Sequence, residues 1–250
     1  MNEAASSSIP LLSGLAALLL AVIHIFAGRF KFLKRSPRSR WLSMGSGVSV
    51  AYVFVHVLPD LSAAQAEFRE SVAVLLAIEH HVYIMALLGM MAFYGLERAA
   101  KVSRQQSMDE GEGDATQPGV FWLHMVSFGL YNALIGYLLM HREEPGALNL
   151  ITYAIAMALH FVVNDYSLWE DHKRSYDHIG RWILSGAVVF GWVIGTQTMI
   201  SRAFTAVLFA FLAGGVILNV LKEELPKERE SQFWMFALGA IGYSGLLLAL

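Results

Sequence analysis

Long apolar runs alternate with short polar ones along the whole chain, the apolar runs covering about 9–28, 41–58, 72–96, 119–140, 148–169, 180–200, 203–221 and 231–250. Most approach the roughly 20 residues that an α-helix needs to cross a bilayer. The pattern predicts an all-α polytopic membrane protein with eight transmembrane helices in a single transmembrane domain spanning 1–250. Of the 250 residues 56% are hydrophobic and 15% charged, more apolar surface than one soluble core of this length would use. The lipid bilayer is therefore the first partner, and no nucleic-acid partner is expected. Residues 1–8 carry no Lys or Arg, so the first run lacks the basic start of a cleavable signal peptide and reads as a retained helix.

Charge orients these helices. Arg29, Lys31, Lys34, Arg35, Arg38 and Arg40 crowd the first connection, and Arg98, Lys101 and Arg104, then Lys173, Arg174 and Arg181, then Lys222, Lys227 and Arg229 follow the third, fifth and seventh runs. The opposite connections hold Arg69, Arg142 and Arg202. Basic residues favour the cytoplasmic side, so both termini are expected outside, in the plasma (inner) membrane. Residues 101–118, with Asp109, Glu110, Glu112 and Asp114 among glycines, have the composition of a flexible cytoplasmic loop. Absence of cysteine removes disulfides and thiolate ligands, leaving His, carboxylate, amide and Met for any metal.

Two stretches relate the halves of the chain. Gly45-Ser46-Gly47 to Leu58-Pro59 in the second run aligns with Ala213-Gly214-Gly215 to Leu225-Pro226 in the seventh, which places His56 on Glu223. The charge bias orients these runs oppositely, so helices 1–3 and 6–8 are expected to be inverted repeats around helices 4–5.

Polar residues inside the spans are the functional candidates, because ionisable groups at bilayer depth are costly and face a partner, a bundle interior or water. Ala158 to Asp165 holds His160 and Asn164 on one helical face, with Asp165 about 140° round from His160. Asn132 in the fourth run should lie at similar depth if the fourth and fifth helices pack antiparallel. Interhelical hydrogen bonding is an equally good account of these residues. Glu79-His80-His81 fall within the outer half of the third run, with packing and an ion route comparably supported. The polar series Glu170, Asp171, His172, Lys173, Arg174, Asp177 and His178 reads as a solvated loop.

The order of features resembles the ZIP family of divalent-metal transporters. His56-Val57-Leu58-Pro59-Asp60 resembles that family's His-Leu-Leu-Pro segment, and Ala213-Gly214-Gly215 to Pro226 its seventh helix. Tyr131-Asn132-Ala133-Leu134-Ile135-Gly136 stands against the family's His-Asn-x-x-Asp-Gly, and His160-Phe161-Val162-Val163-Asn164-Asp165 against His-Glu-x-Pro-His-Glu. The resemblance implies a zinc-like divalent cation as substrate, at a weakened site of Asn132, His160, Asn164 and Asp165, and a homodimer. Tyr131, Ile135 and Phe161 stand where the family has metal ligands, so a binuclear site bridged by carboxylates is not expected. The alternatives are a non-transporting homologue with a regulatory or structural role and, ranked lower, an intramembrane zinc hydrolase using His56, His80, His81 and His160 with Asp60 or Glu79. No enzyme activity and no resident cofactor are expected.

Overall fold

The computed structural model of the protein describes residues 2–26, 40–71, 80–142, 146–224 and 232–248. Among them helix is the only regular structure: α1 (Asn2–Phe26), α2 (Arg40–Tyr52), α3 (Leu58–Ser71), α4 (His81–Asp109), α5 (Pro118–Leu138), α6 (Ala147–Ser175), α7 (Arg181–Gln197), α8 (Arg202–Asn219) and α9 (Phe233–Leu248). Six runs are long and apolar enough to cross a membrane, namely Ile9–Phe26, Ser43–Ala66, His81–Asp109, Pro118–Leu138, Ala147–Gln197 and Arg202–Lys222. Phe233–Leu248 is a shorter apolar helix. These features make the chain an all-α, multi-pass membrane protein.

Several helices run past the apolar stretch that predicts them. The second does not stop at the Leu58-Pro59 pair. Val53–Val57 forms a π-helical turn in which the Leu58 N–H donates to the Val53 carbonyl, and α3 continues directly to Ser71. A proline cannot donate to the ladder and crowds the carbonyl four residues back, so a wider turn before it lets the helix pass through. A second five-residue π turn, Val220–Glu224, precedes Leu225-Pro226 at the same spacing, the Leu-Pro pair itself lying outside the described residues. The segment 101–118 is helical as far as Asp109, with turns and bends from Glu110 to Gln117. Pro118 opens α5 at its first turn, where a missing N–H costs nothing, after an extended Gln117. Ser201 caps α8 by accepting from the Phe204 N–H at 3.3 Å.

His81 begins α4, and His80 precedes it exposed and with φ +71°. These two histidines therefore stand at a helix start, not within its outer half, and Glu79 lies outside the described residues. The polar series after Trp169 is not a solvated loop either. α6 carries it as helix as far as His172, and non-helical Lys173 (φ +45°, ψ −116°) kinks the chain before a π turn, Tyr176–Gly180, that opens onto α7.

The chain divides into two compact units. Unit 1 comprises residues 1–30 and 95–198, and unit 2 residues 31–94 and 199–250. Helices α5 and α6 thus share a unit with α1 and α7. In unit 2, a methyl group added to Gly47 would lie 2.0 Å from the Phe236 carbonyl oxygen, and one on Gly239 2.1 Å from that of Met44. Gly214 and Gly89 stand in the same relation to Ala86 and Phe211, at 1.9 Å each. Each glycine faces the carbonyl three residues before its partner glycine. Unit 1 repeats the crossing once, with Gly136 against Val188 and Gly191 against Ala133. In lipid the tails are as apolar as leucine, so helices associate through such backbone-to-backbone fits.

The glycine crossings yield a direct prediction. Gly136→Ala and Gly191→Ala should each lower stability by about 1–3 kcal/mol or more, because the obstacle is backbone that cannot rotate away. Gly186→Ala, where a methyl meets nothing within 4 Å, should be neutral or slightly stabilising. Thermal melting of the three variants in detergent measures the contrast.

Candidate functional site

Two polar networks in unit 1 centre on buried histidines. The first joins α1, α5 and α6. His24, in the last turn of α1, places Nδ1 2.9 and 2.8 Å from the two Asp165 carboxylate oxygens, and Nε2 2.7 Å from Asn132 Oδ1. His24 and Asp165 side chains are fully buried, and so is Asn132.

Asn132 fixes one proton of the network. Asn132 Nδ2 donates to the Phe128 carbonyl at 2.7 Å, so its Oδ1 must be the atom facing His24, and His24 Nε2 carries a hydrogen. On the other side Nδ1 meets both oxygens of Asp165, so one hydrogen lies between the ring and the carboxyl group. His24 and Asp165 are thus a buried, hydrogen-bonded histidine–carboxyl pair inside the bundle. The Phe161 ring lies against the imidazole, centroids 4.2 Å apart.

His160 belongs to a neighbouring pair. Its Nε2 meets the Tyr131 hydroxyl at 2.9 Å, while its Nδ1 is buried and has no hydrogen-bond partner among the described residues. Asn164 is buried on the same helix. The four sequence candidates Asn132, His160, Asn164 and Asp165 are therefore all interior residues of one unit. Two of them bracket His24, and His160 turns instead to Tyr131, in keeping with the 140° between His160 and Asp165. Nothing in the local sequence singles out His24, a lone histidine at the end of an apolar run, and its partners lie 108 and 141 residues away.

The second network holds the segment after α4 onto the end of α6. His124 Nε2 donates to the Leu96 carbonyl at 2.8 Å, leaving Nδ1 to accept from His172 Nε2–H at 2.9 Å. His172 Nδ1 then accepts from the Thr116 hydroxyl. One backbone carbonyl thereby sets the tautomer of both histidines in their neutral forms. Around this chain Arg104 pairs with Asp114 and, at 3.4 Å, with Asp171, while Lys173 reaches Asp114 at 3.6 Å and lies over the Trp169 ring. The Gln117 N–H also donates to the Ser103 hydroxyl at 2.8 Å.

No protein family, curated protein or solved structure matches the chain. The reading of the site therefore stands on its own geometry. Among the described residues no three His, Asp or Glu side chains gather as a metal would require. The closest approach to a ligand set is His24 with Asp165 and Asn132, one imidazole, one carboxylate and one amide oxygen. Ile135 and Phe161, at positions where the resembling family has acids, are fully buried.

Removing one member of a buried ion pair strands the other. His24→Leu should cost about 3–5 kcal/mol, and adding Asp165→Leu should recover part of that loss rather than add to it. A double-mutant melting cycle gives the coupling.

The second network responds to pH through Asp114. The hydrogen bond from Arg104 lowers the Asp114 pKa, so its pairing is present above the ordinary carboxylate range and is lost as pH falls through the lowered value. Acidification, or His172→Ala at neutral pH, should release residues 110–117. Faster proteolysis at Gly111 or Gly113 reports the release, with no change expected for His178→Ala, whose ring bonds the Arg174 carbonyl at an exposed site.

Proposed function

We propose that the chain is a divergent ZIP-like membrane protein of eight spans that carries a zinc-like divalent cation weakly, through the polar interior of unit 1. The observation that carries this reading is the fully buried Asp165 side chain paired with His24 and, through it, with Asn132, on the helix that also buries His160 and Asn164. Such groups at bilayer depth are costly to keep for packing alone and are the usual markers of an ion path. The Nδ1 of His160, buried with no hydrogen-bond partner among the described residues, supports the same reading, since a buried polar atom without a partner calls for a ligand. The inverted-repeat plan draws support from the α2 with α9 and α8 with α4 crossings, which share one reciprocal glycine geometry, and from the equivalent π turns ahead of both Leu-Pro pairs. The 51 residues of Ala147–Gln197, kinked at Lys173, accommodate two crossings. In this reading both termini lie outside, the protein sits in the plasma (inner) membrane, and two copies associate.

A second reading is favoured by one observation, that both ring nitrogens of His24 are already bonded. A saturated network holds helices together without handling any ion, and the protein would then be a non-transporting homologue. The hydrolase alternative needs several histidines around one zinc, and the described residues offer no such group.

Uptake of cadmium or zinc into proteoliposomes separates these readings. Wild type should show slow, saturable uptake. His160→Ala and Asp165→Asn should abolish it, the second without unfolding the protein, because an asparagine N–H can donate to neutral His24 Nδ1. Uptake equal in all three, or absent in wild type, would leave the network as interhelical glue.

A further inference from the structure

The His24 ring is held as a bound cation would be. The Asp165 carboxyl group approaches one edge through both oxygens at 2.8 and 2.9 Å, an amide oxygen meets the opposite nitrogen at 2.7 Å, and the Phe161 ring lies against one face at 4.2 Å between centroids. The orientation of Asn132 is itself locked by the Phe128 carbonyl, so the amide oxygen is fixed toward that position whatever fills it. Oxygen donors of this kind also suit a divalent ion. The chain to which the ring belongs is anchored separately. Ser185 Oγ donates to the Ala21 carbonyl at 2.9 Å, and Arg181 reaches the Ile25 carbonyl at 3.4 Å. α1 therefore keeps its place through contacts that do not involve the imidazole.

We infer that the space filled by the His24 imidazole is the cation-binding position of unit 1, and that His24 is its tethered occupant, which a free cation must displace. The inference rests on the transport reading for the identity of the displacing ion and on the geometry above for the occupant. A tethered group competes at a high effective concentration, so the wild-type site is weak toward free cations because its own side chain holds the position. Removing the imidazole while leaving Asp165 and Asn132 in place opens a slot shaped for imidazole itself, with a carboxyl group and an amide oxygen facing it.

The experiment uses the full chain as wild type, His24→Gly and His24→Gln, with melting temperature read against imidazole and against cadmium chloride, and cadmium uptake read in proteoliposomes. His24→Gly should melt well below wild type and recover with millimolar imidazole, while wild type and His24→Gln, whose slots remain filled, do not respond to imidazole. Cadmium should raise the melting temperature of His24→Gly at concentrations at least about tenfold lower than those needed for wild type. If the glycine variant folds only in imidazole, that dependence is the rescue, and loss of structure on dialysis reports it. Failure of imidazole to stabilise His24→Gly, or a cadmium response the same as that of wild type, overturns the tethered occupant. Uptake by wild type together with no rescue overturns this inference and leaves transport standing. Imidazole rescue together with no uptake by any variant supports the occupant and removes transport.

Discussion

Burial of the Asp165 carboxylate is the constraint on which unit 1 depends. A lone anion in an apolar bundle costs several kcal/mol even after relaxation, and only a cation or a proton offsets it. His24 shares a hydrogen with it from a helix more than a hundred residues away, and Asn132 accepts from the far side of the ring. Three helices are thereby fixed in rotation at once. Turning any of α1, α5 or α6 by one residue, about 100°, would leave the carboxyl group or the imidazole buried and unpaired. Packing among lipid tails has no such directionality, since apolar faces are interchangeable there.

Glycine supplies what the polar network cannot. The Gly136 and Gly191 crossing brings the backbones of α5 and α7 into contact, and α7 is tied in turn to α1 through Ser185, Arg181 and the Trp192 N–H donated to Ser13 at 3.0 Å. Close approach of this kind sets distance, and the ion pair sets angle. In unit 2 the same crossing occurs twice, while the π turn before Pro59 lets a helix continue past a residue that would otherwise end it.

The end of α6 shows how a polar segment finds partners. His172, Asp171 and Lys173 would be solvated on an isolated helix, yet each meets a side chain delivered by α4, by α5 or by residues 110–117. A segment whose composition is that of a disordered linker is pinned at Asp114, Thr116 and Gln117, by two ion pairs and three hydrogen bonds. Composition describes what a segment can do alone, and here the segment is not alone.

Membrane-spanning character and the positions of the apolar runs follow from the sequence by itself, because a helix in lipid must satisfy every backbone group internally and must be about 20 apolar residues long. The buried status of Asn132, His160, Asn164 and Asp165 was legible for the same reason, as polar residues where hydrocarbon is the default surrounding. Helix ends were not. Hydrophobicity stops at Trp169 and near Leu96, whereas α6 stays helical up to the kink at Lys173 and α4 to Asp109, since helicity depends on backbone bonds and not on the surrounding solvent. Nor could the sequence pair Asp165 with His24, or Tyr131 with His160. Spacing along one helix gives the direction in which a side chain points, and only the packing of α1 against α6 and α5 against α6 decides what it meets there.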